Sequence, residues 1–127
     1  MSLKSLTPII YAKDLEATIA FYCAILGFTI KEKNSEWVRA SLLKEGAEII
    51  VTGPNILGHL EDPHFTGSFL IETDDLDGLW NELKGKVKVI LEPTDVEWGG
   101  RQFALMDNNG YVLIFGQKIS RIQNEVL

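Results

Sequence analysis

The side chains best placed to do chemistry in this sequence are aromatic and charged, and they cluster near the ends of apolar runs. Trp98 sits in the run Glu97-Trp98-Gly99-Gly100-Arg101, just after Glu92 and Asp95. An indole on a Gly-rich acidic loop can stack on a flat cationic ligand, or it can anchor the loop to its own sheet. Trp37 opens an apolar run and serves either ligand contact or packing. Arg39 and Arg101 can each anchor an anion through a bidentate guanidinium, or form ion pairs at a rim. Glu72 lies near the end of a strand-like run, where its carboxylate either meets a ligand cation, acts as a base, or is simply solvated. Tyr11 alternates with Thr7 and Ile9 and so shares a strand face with them. His59 and His64 bracket Glu61 and Asp62 without any established metal-ligand spacing. Cys23, the single cysteine, suits a small buried hydrophobe. There is no nucleophile motif, phosphate-cradling Gly loop or pair of catalytic carboxylates.

The elements that must position these residues come twice. Thr7 to Ala12 is β-prone, and Asp14 stands at a helix N-cap. Leu15, Ile19, Tyr22 and Leu26 follow on one helical stripe, with Gly27 at the left-handed C-terminal position. Extended runs follow at Phe28 to Lys31, Trp37 to Leu43 and Glu48 to Thr52, the last two joined by Lys44-Glu45-Gly46. The order then recurs. Ser68 to Thr73 is a strand, and Asp74-Asp75 caps a helix with Leu76, Trp80 and Leu83 inward. Gly85 ends that helix, Val87 to Leu91 is extended, and two runs flank Asp107-Asn108-Asn109-Gly110. An offset of 61 carries Asp14 to Asp75, Leu15 to Leu76, Ile19 to Trp80 and Trp37 to Trp98. After an insertion near Gly99-Gly100-Arg101 the offset becomes 64, carrying Gly46 to Gly110 and Ile50 to Ile114. The chain is thus expected to be one α+β domain of two βαβββ modules, forming paired curved antiparallel sheets around a cleft. Module one spans about 5–53, a linker about 54–66, module two about 67–117 and a C-terminal tail 118–127, the tail suited to a short helix. Strand alternation turns Phe69 and Ile71 toward the helix of module two, and Ser68, Leu70 and Glu72 toward the cleft.

Composition narrows the function classes. At 127 residues, 46% of them apolar, and with a mean hydropathy of +0.06, the chain has the profile of a soluble globular protein. No apolar run is long enough for a spanning helix and no leader succession opens the chain, so a cytoplasmic location is expected and no membrane partner. A net charge of −6 argues against nucleic acid. It suits a cationic ligand, or serves solubility alone.

Asp14-Leu15, Phe21-Tyr22 and Leu26-Gly27-Phe28 resemble the opening signature of the vicinal oxygen chelate superfamily, which includes glyoxalases, extradiol dioxygenases and bleomycin resistance proteins. Asp107-Asn108-Asn109-Gly110 resembles its closing turn, with Asn108 in place of the usual Pro. In the enzymes of that superfamily a His or Gln on the first strand of each module and a Glu on each last strand hold a divalent metal. The resemblance puts those positions on Thr7, Ser68, Ile50 and Ile114, none of which is a competent ligand. Trp98-Gly99-Gly100-Arg101 leading into Phe103-Ala104-Leu105 resembles a segment of the bleomycin resistance branch, as does Thr7-Pro8-Ile9. That branch implies a metal-free homodimer sequestering a planar or cationic, bleomycin-like ligand in a groove. No cofactor and no metal are then expected, and Trp98, Trp37, Glu72, Arg101 and Tyr11 are the expected ligand contacts. The alternative is a metal-dependent glyoxalase- or dioxygenase-like enzyme with displaced ligands, or a binder of an unrelated metabolite.

Overall fold

The structure, a computed structural model, describes residues 4–54, 68–96 and 100–118. Its chain divides into two compact units, Met1–His64 and Phe65–Leu127. The expected linker and the expected C-terminal helix fall largely outside the described residues, as do Trp98, His59 and His64.

In the first unit β1 (Ile9–Tyr11) leads to α1 (Leu15–Ala20), followed by β2 (Thr29–Asn34), β3 (Arg39–Lys44) and β4 (Ala47–Thr52). The strand order is β1-β4-β3-β2. The two hairpins pair antiparallel, but β1 lies parallel to β4, with Ile9 opposite Ile50. The all-antiparallel expectation is therefore corrected to a mixed sheet. The helical connection returns the chain to the far edge, and after two hairpin reversals β4 runs with β1.

Asp14 caps α1 by accepting from Ala17 N–H at 3.0 Å. Leu15, Ile19, Tyr22 and Leu26 are all buried, as the stripe required. The helix does not stop at Ala20, however. Phe21–Ile25 continue as a π-helical turn in which Leu26 N–H reaches Phe21 C=O at 3.2 Å. Gly27 then takes φ 84°, and Lys44 Nζ donates to the Leu26 carbonyl at 2.8 Å, satisfying an otherwise orphaned helix-end acceptor. Tyr22 is fully buried, with Phe21 and Phe28 set edge-on to its ring at 5.7 and 5.6 Å. Beneath lie Ile10, Ala40, Leu42, Ile49 and Val51.

The second unit repeats the plan. β5 (Ser68–Glu72), α2 (Leu76–Leu83), β6 (Lys88–Val96), β7 (Gly100–Met106) and β8 (Val112–Lys118) form a sheet of order β5-β8-β7-β6. β5 is parallel to β8, with Leu70 opposite Ile114. Asp75 caps α2 through Gly78 N–H, and Gln117 fastens the same helix end. Its Oε1 accepts from Leu76 N–H at 2.8 Å, and its Nε2 donates to the Asp74 carbonyl at 2.9 Å. Phe103 stacks on Phe115 and meets the tilted ring of Trp80, each with ring centroids 5.3 Å apart. Gly110 takes φ 95° in the closing turn, where buried Asp107 accepts from Asn109 and Tyr111 N–H. Gly85 lies in the turn after α2 without a left-handed φ.

Three local expectations change. Trp37 lies in the turn before β3 rather than on the strand, its N–H held by Asn34 Oδ1 at 3.0 Å. β6 runs to Val96, so Glu92 and Asp95 lie on a strand and not on a Gly-rich loop. Pro93 is accommodated because β6 is an edge strand with irregular register there. The repeat insertion also splits. Ser41 and Ile50 pair as do Ala104 and Ile114, so two extra residues precede β7 and one enters the Asp107–Tyr111 turn. Counting back from the paired strands, Trp37 corresponds to Gly100 and not to Trp98.

Candidate functional site: the open faces of the two sheets

Each sheet buries one face against its helix and leaves the other open, and the strand period of two decides which side chain goes where. On β1, Ile10 is buried while Ile9 and Tyr11 are 51% and 48% exposed; on β5, Leu70 is 64% exposed. Following the cross-strand pairs from these residues lays out the open face of the first sheet in rows. Tyr11, Thr52, Arg39 and Asn34 form one row; Ile9, Ile50, Ser41 and Glu32 form the next; Glu48, Leu43 and Thr29 form a third. In the second sheet the matching rows are Glu72, Gly116, Gln102 and Thr94; then Leu70, Ile114, Ala104 and Leu91; then Ser68, Val112, Met106 and Lys88.

The same lattice thus carries two different chemistries. The first open face is polar, with a guanidinium and carboxylates around Ile9 and Ile50. The second is apolar through its middle and polar at the Glu72 end. In the first, Ser41 Oγ donates to Glu48 Oε2 at 2.6 Å and Lys31 Nζ stands 3.5 Å from the same oxygen. The Ser41 hydrogen bond holds the Glu48 carboxyl below its ordinary range, with help from Lys31 and against partial desolvation. Glu48 is therefore an oriented anion at neutral pH. Arg39 makes no ion pair with a described residue.

Among the expected ligand contacts, Tyr11 and Glu72 lie on open faces, at equivalent places in the two units. Glu72 is well exposed, with Lys118 Nζ at 3.8 Å. Trp37 borders the first sheet in its turn and is 39% exposed. Arg101 does not join them. It pairs with Gln117 and Asp95 in the row on the helix side, where it reaches Asp95 at 2.9 Å and Asp77 of α2 at 3.4 Å. Those carboxylates, Asp95 foremost, raise its pKa further. Arg101 is a clasp between α2 and the sheet. The arginine on an open face is Arg39.

Sequence reasoning passed over Ser41 and Lys31, and it took Glu48 only as the start of an extended run. Glu48 precedes Ile50 by two, so the strand period already placed both on one face. Lys31 was hidden by the β2 irregularity between Ile30 and Glu32. The expected metal positions do not fit a metal: Ile50 and Ile114 offer alkyl groups, Thr7 and Ser68 neutral hydroxyls. Among the described residues no group of three His, Cys, Asp or Glu could hold one elsewhere. No described helix is long and apolar enough to cross a membrane.

Paired βαβββ units, each a four-stranded mixed sheet with one helix on it, define a two-module α+β class of protein. The family model for the Glyoxalase/Bleomycin resistance protein/Dioxygenase superfamily matches residues 3–115, and the chain belongs to that superfamily. No curated protein matches it at a significant level. Among solved structures it is similar to a glyoxalase/bleomycin resistance protein/dioxygenase from Nocardioides, with TM-score 0.74, 17% identity, and coverage of 95% of this chain and 87% of that one. TioX from Micromonospora sp. ML1 gives TM-score 0.74 at 14% identity, covering 91% and 99%. An integron cassette protein from the mobile metagenome of the Halifax Harbour sewage outfall gives 0.71 at 25% identity, also covering 91% and 99%.

Proposed function

We propose that the chain is a metal-independent small-molecule-binding protein of the bleomycin-resistance type, a homodimer that sequesters a planar or cationic ligand rather than transforming it. One observation carries this reading. The four places where superfamily enzymes hold a metal are Thr7, Ile50, Ser68 and Ile114, while the faces around them present exposed apolar and aromatic side chains. Tyr11 and Ile9 on one face, and Leu70 on the other, offer flat or apolar contact at sites where charged groups stand close by. Trp37 at the border of the first sheet and Trp98 would add stacking surfaces. Fluorescence titration of the three tryptophans with a bleomycin-family glycopeptide tests the reading. Saturable quenching at micromolar ligand is expected, and no quenching removes that ligand class. Light scattering on the eluting protein tests the dimer, and a monomer at every concentration refutes the groove between subunits.

A further inference from the structure

We propose that the open face of the first sheet takes a zwitterionic ligand, its anionic group on Arg39 and its ammonium on Glu48, with a flat apolar middle over Ile50 and Ile9. The proposal rests on the binding reading above and names the ligand class that this face would select.

The charges are arranged for it. Arg39 and Glu48 belong to neighbouring strands and the same face, and their positions are fixed by register: Arg39 is opposite Thr52, four residues beyond Glu48. At strand spacing and rise, their Cα atoms are about 14 Å apart. Both side chains are long, so a ligand whose charges are roughly 7 Å apart can span them. Between the two ends lie Ile50, Ile9 and Ser41, and Tyr11 closes the row that holds Arg39. Arg39 has no anionic partner among the described residues. Glu48 is different, because it is already engaged. Ser41 and Lys31 both address Oε2, and no described residue bonds Oε1. Ser41 therefore orients the carboxylate while leaving an oxygen for an incoming N–H donor. Lys31 is an exposed competitor that such a donor would displace. The second unit lacks the pattern, with Gln102 in place of Arg39 and Val112 in place of Glu48.

The test uses 4-(aminomethyl)benzoate as probe, with 4-methylbenzoate and 4-methylbenzylamine as single-charge controls, and follows backbone amide shifts of the full-length chain. The zwitterion is expected to shift the amides of Arg39, Ser41, Glu48 and Ile50, with a Kd about fivefold below either control, as a partly exposed charge pair warrants. Arg39→Gln should bring the zwitterion's affinity to that of the amine, and Glu48→Gln to that of the carboxylate. Lys31→Gln should tighten the zwitterion and the amine but leave the carboxylate unchanged, which a merely structural role for Glu48 would not produce. Each variant's amide spectrum reports its folding. Should Glu48→Gln unfold, Ser41→Ala, which frees the carboxylate to rotate, is expected to weaken binding of the zwitterion and the amine and to leave the carboxylate unchanged. Equal binding of all three probes, shifts confined to the second unit, or no shifts at all would overturn the proposal. A glycopeptide that still quenches the tryptophans in that event leaves the binding reading standing.

Discussion

Replacing Gly53 by Ala should destabilise the protein through one identifiable contact, and removing that contact should abolish the effect. A Cβ on Gly53 would come 2.8 Å from Val38 Cγ1, inside the closest separation real side chains tolerate, with Leu15 Cβ and the Ala12 carbonyl at 3.6 and 3.7 Å behind it. Gly53 is buried, and its N–H donates to Val38 C=O at 2.8 Å, so neither backbone can retreat cheaply. Overpacking of this kind costs about 2 kcal/mol. Val38 is itself unusual, a β-branched residue at φ 52°. Val38→Gly relieves about 1 kcal/mol of left-handed strain. It gives back a similar amount in chain entropy and half-buried methyls, so its net effect should fall within about 1 kcal/mol of zero. In the Val38→Gly background the Gly53→Ala penalty should shrink to a few tenths, giving a coupling of about 1.5–2 kcal/mol. Urea denaturation of wild type, both single variants and the double variant measures the cycle. Additive effects would show that the Val38 contact is not what reserves position 53 for glycine. Because Trp37 precedes Val38, its emission in the double variant also reports whether the border of the first sheet has moved.

Other outcomes follow from the geometry. Gln117→Ala should lower stability by about 1–2 kcal/mol in urea melts by stranding the Leu76 N–H and the Asp74 carbonyl; Gln117→Glu, which keeps the acceptor at a helix N-terminus, should cost less. Glu45 carries φ 51° in the turn between β3 and β4, so Glu45→Gly should be neutral or stabilising by up to about 1 kcal/mol, whereas Gly27→Ala at φ 84° should destabilise by a similar amount. The Glu48 carboxyl titrates below its ordinary range in the folded protein, so its contribution to stability is complete above the unfolded value and is lost as pH falls through the folded one. Carboxyl-detected NMR titration should show that Ser41→Ala moves Glu48 back toward the usual carboxylate range, and an unchanged midpoint would refute Ser41 as the main cause. Purified protein dialysed against metal-free buffer and then exposed to zinc or nickel should retain neither by elemental analysis. Stoichiometric retention would return the enzyme reading to the front.

Much of the architecture was legible because the signals are periodic and local. The capping aspartates, the two helical stripes and the counted repeat each derive from 3.6- or two-residue periodicity that solvent enforces. The parallel pairing of β1 with β4 was not legible. It depends on which strands become neighbours, and no local pattern encodes that. The π-helical turn at Phe21–Ile25 escaped for a different reason: Leu15, Ile19, Tyr22 and Leu26 keep α-helical spacing through it, so the apolar stripe carries no sign of the wider turn. Site residues were hardest. Arg101 and Arg39 look alike in sequence, and only strand register separates the one clasped by Asp77 and Asp95 from the one on an open face. Trp37 and Trp98 are matched by counting but not by register, because two residues enter before β7. Glu48 was legible in principle, since its face follows from that of Ile50.

The two sheets also show how a repeated unit can change its side chains while keeping its strand order and pairing. Gly116 occupies the place that Thr52 holds in the first unit, and a Cβ there would stand 3.2 Å from the Leu70 Cδ1. The residue matching Leu70 is Ile9, shorter in reach and diagonal to Thr52 in the strand register. Long beside small in one copy, and compact beside medium in the other, fill comparable space. Transplanting one face onto the other therefore requires moving these pairs together: Gly116→Thr without Leu70→Ile would force the leucine aside. On these faces side chains are exchangeable as neighbouring pairs, not singly.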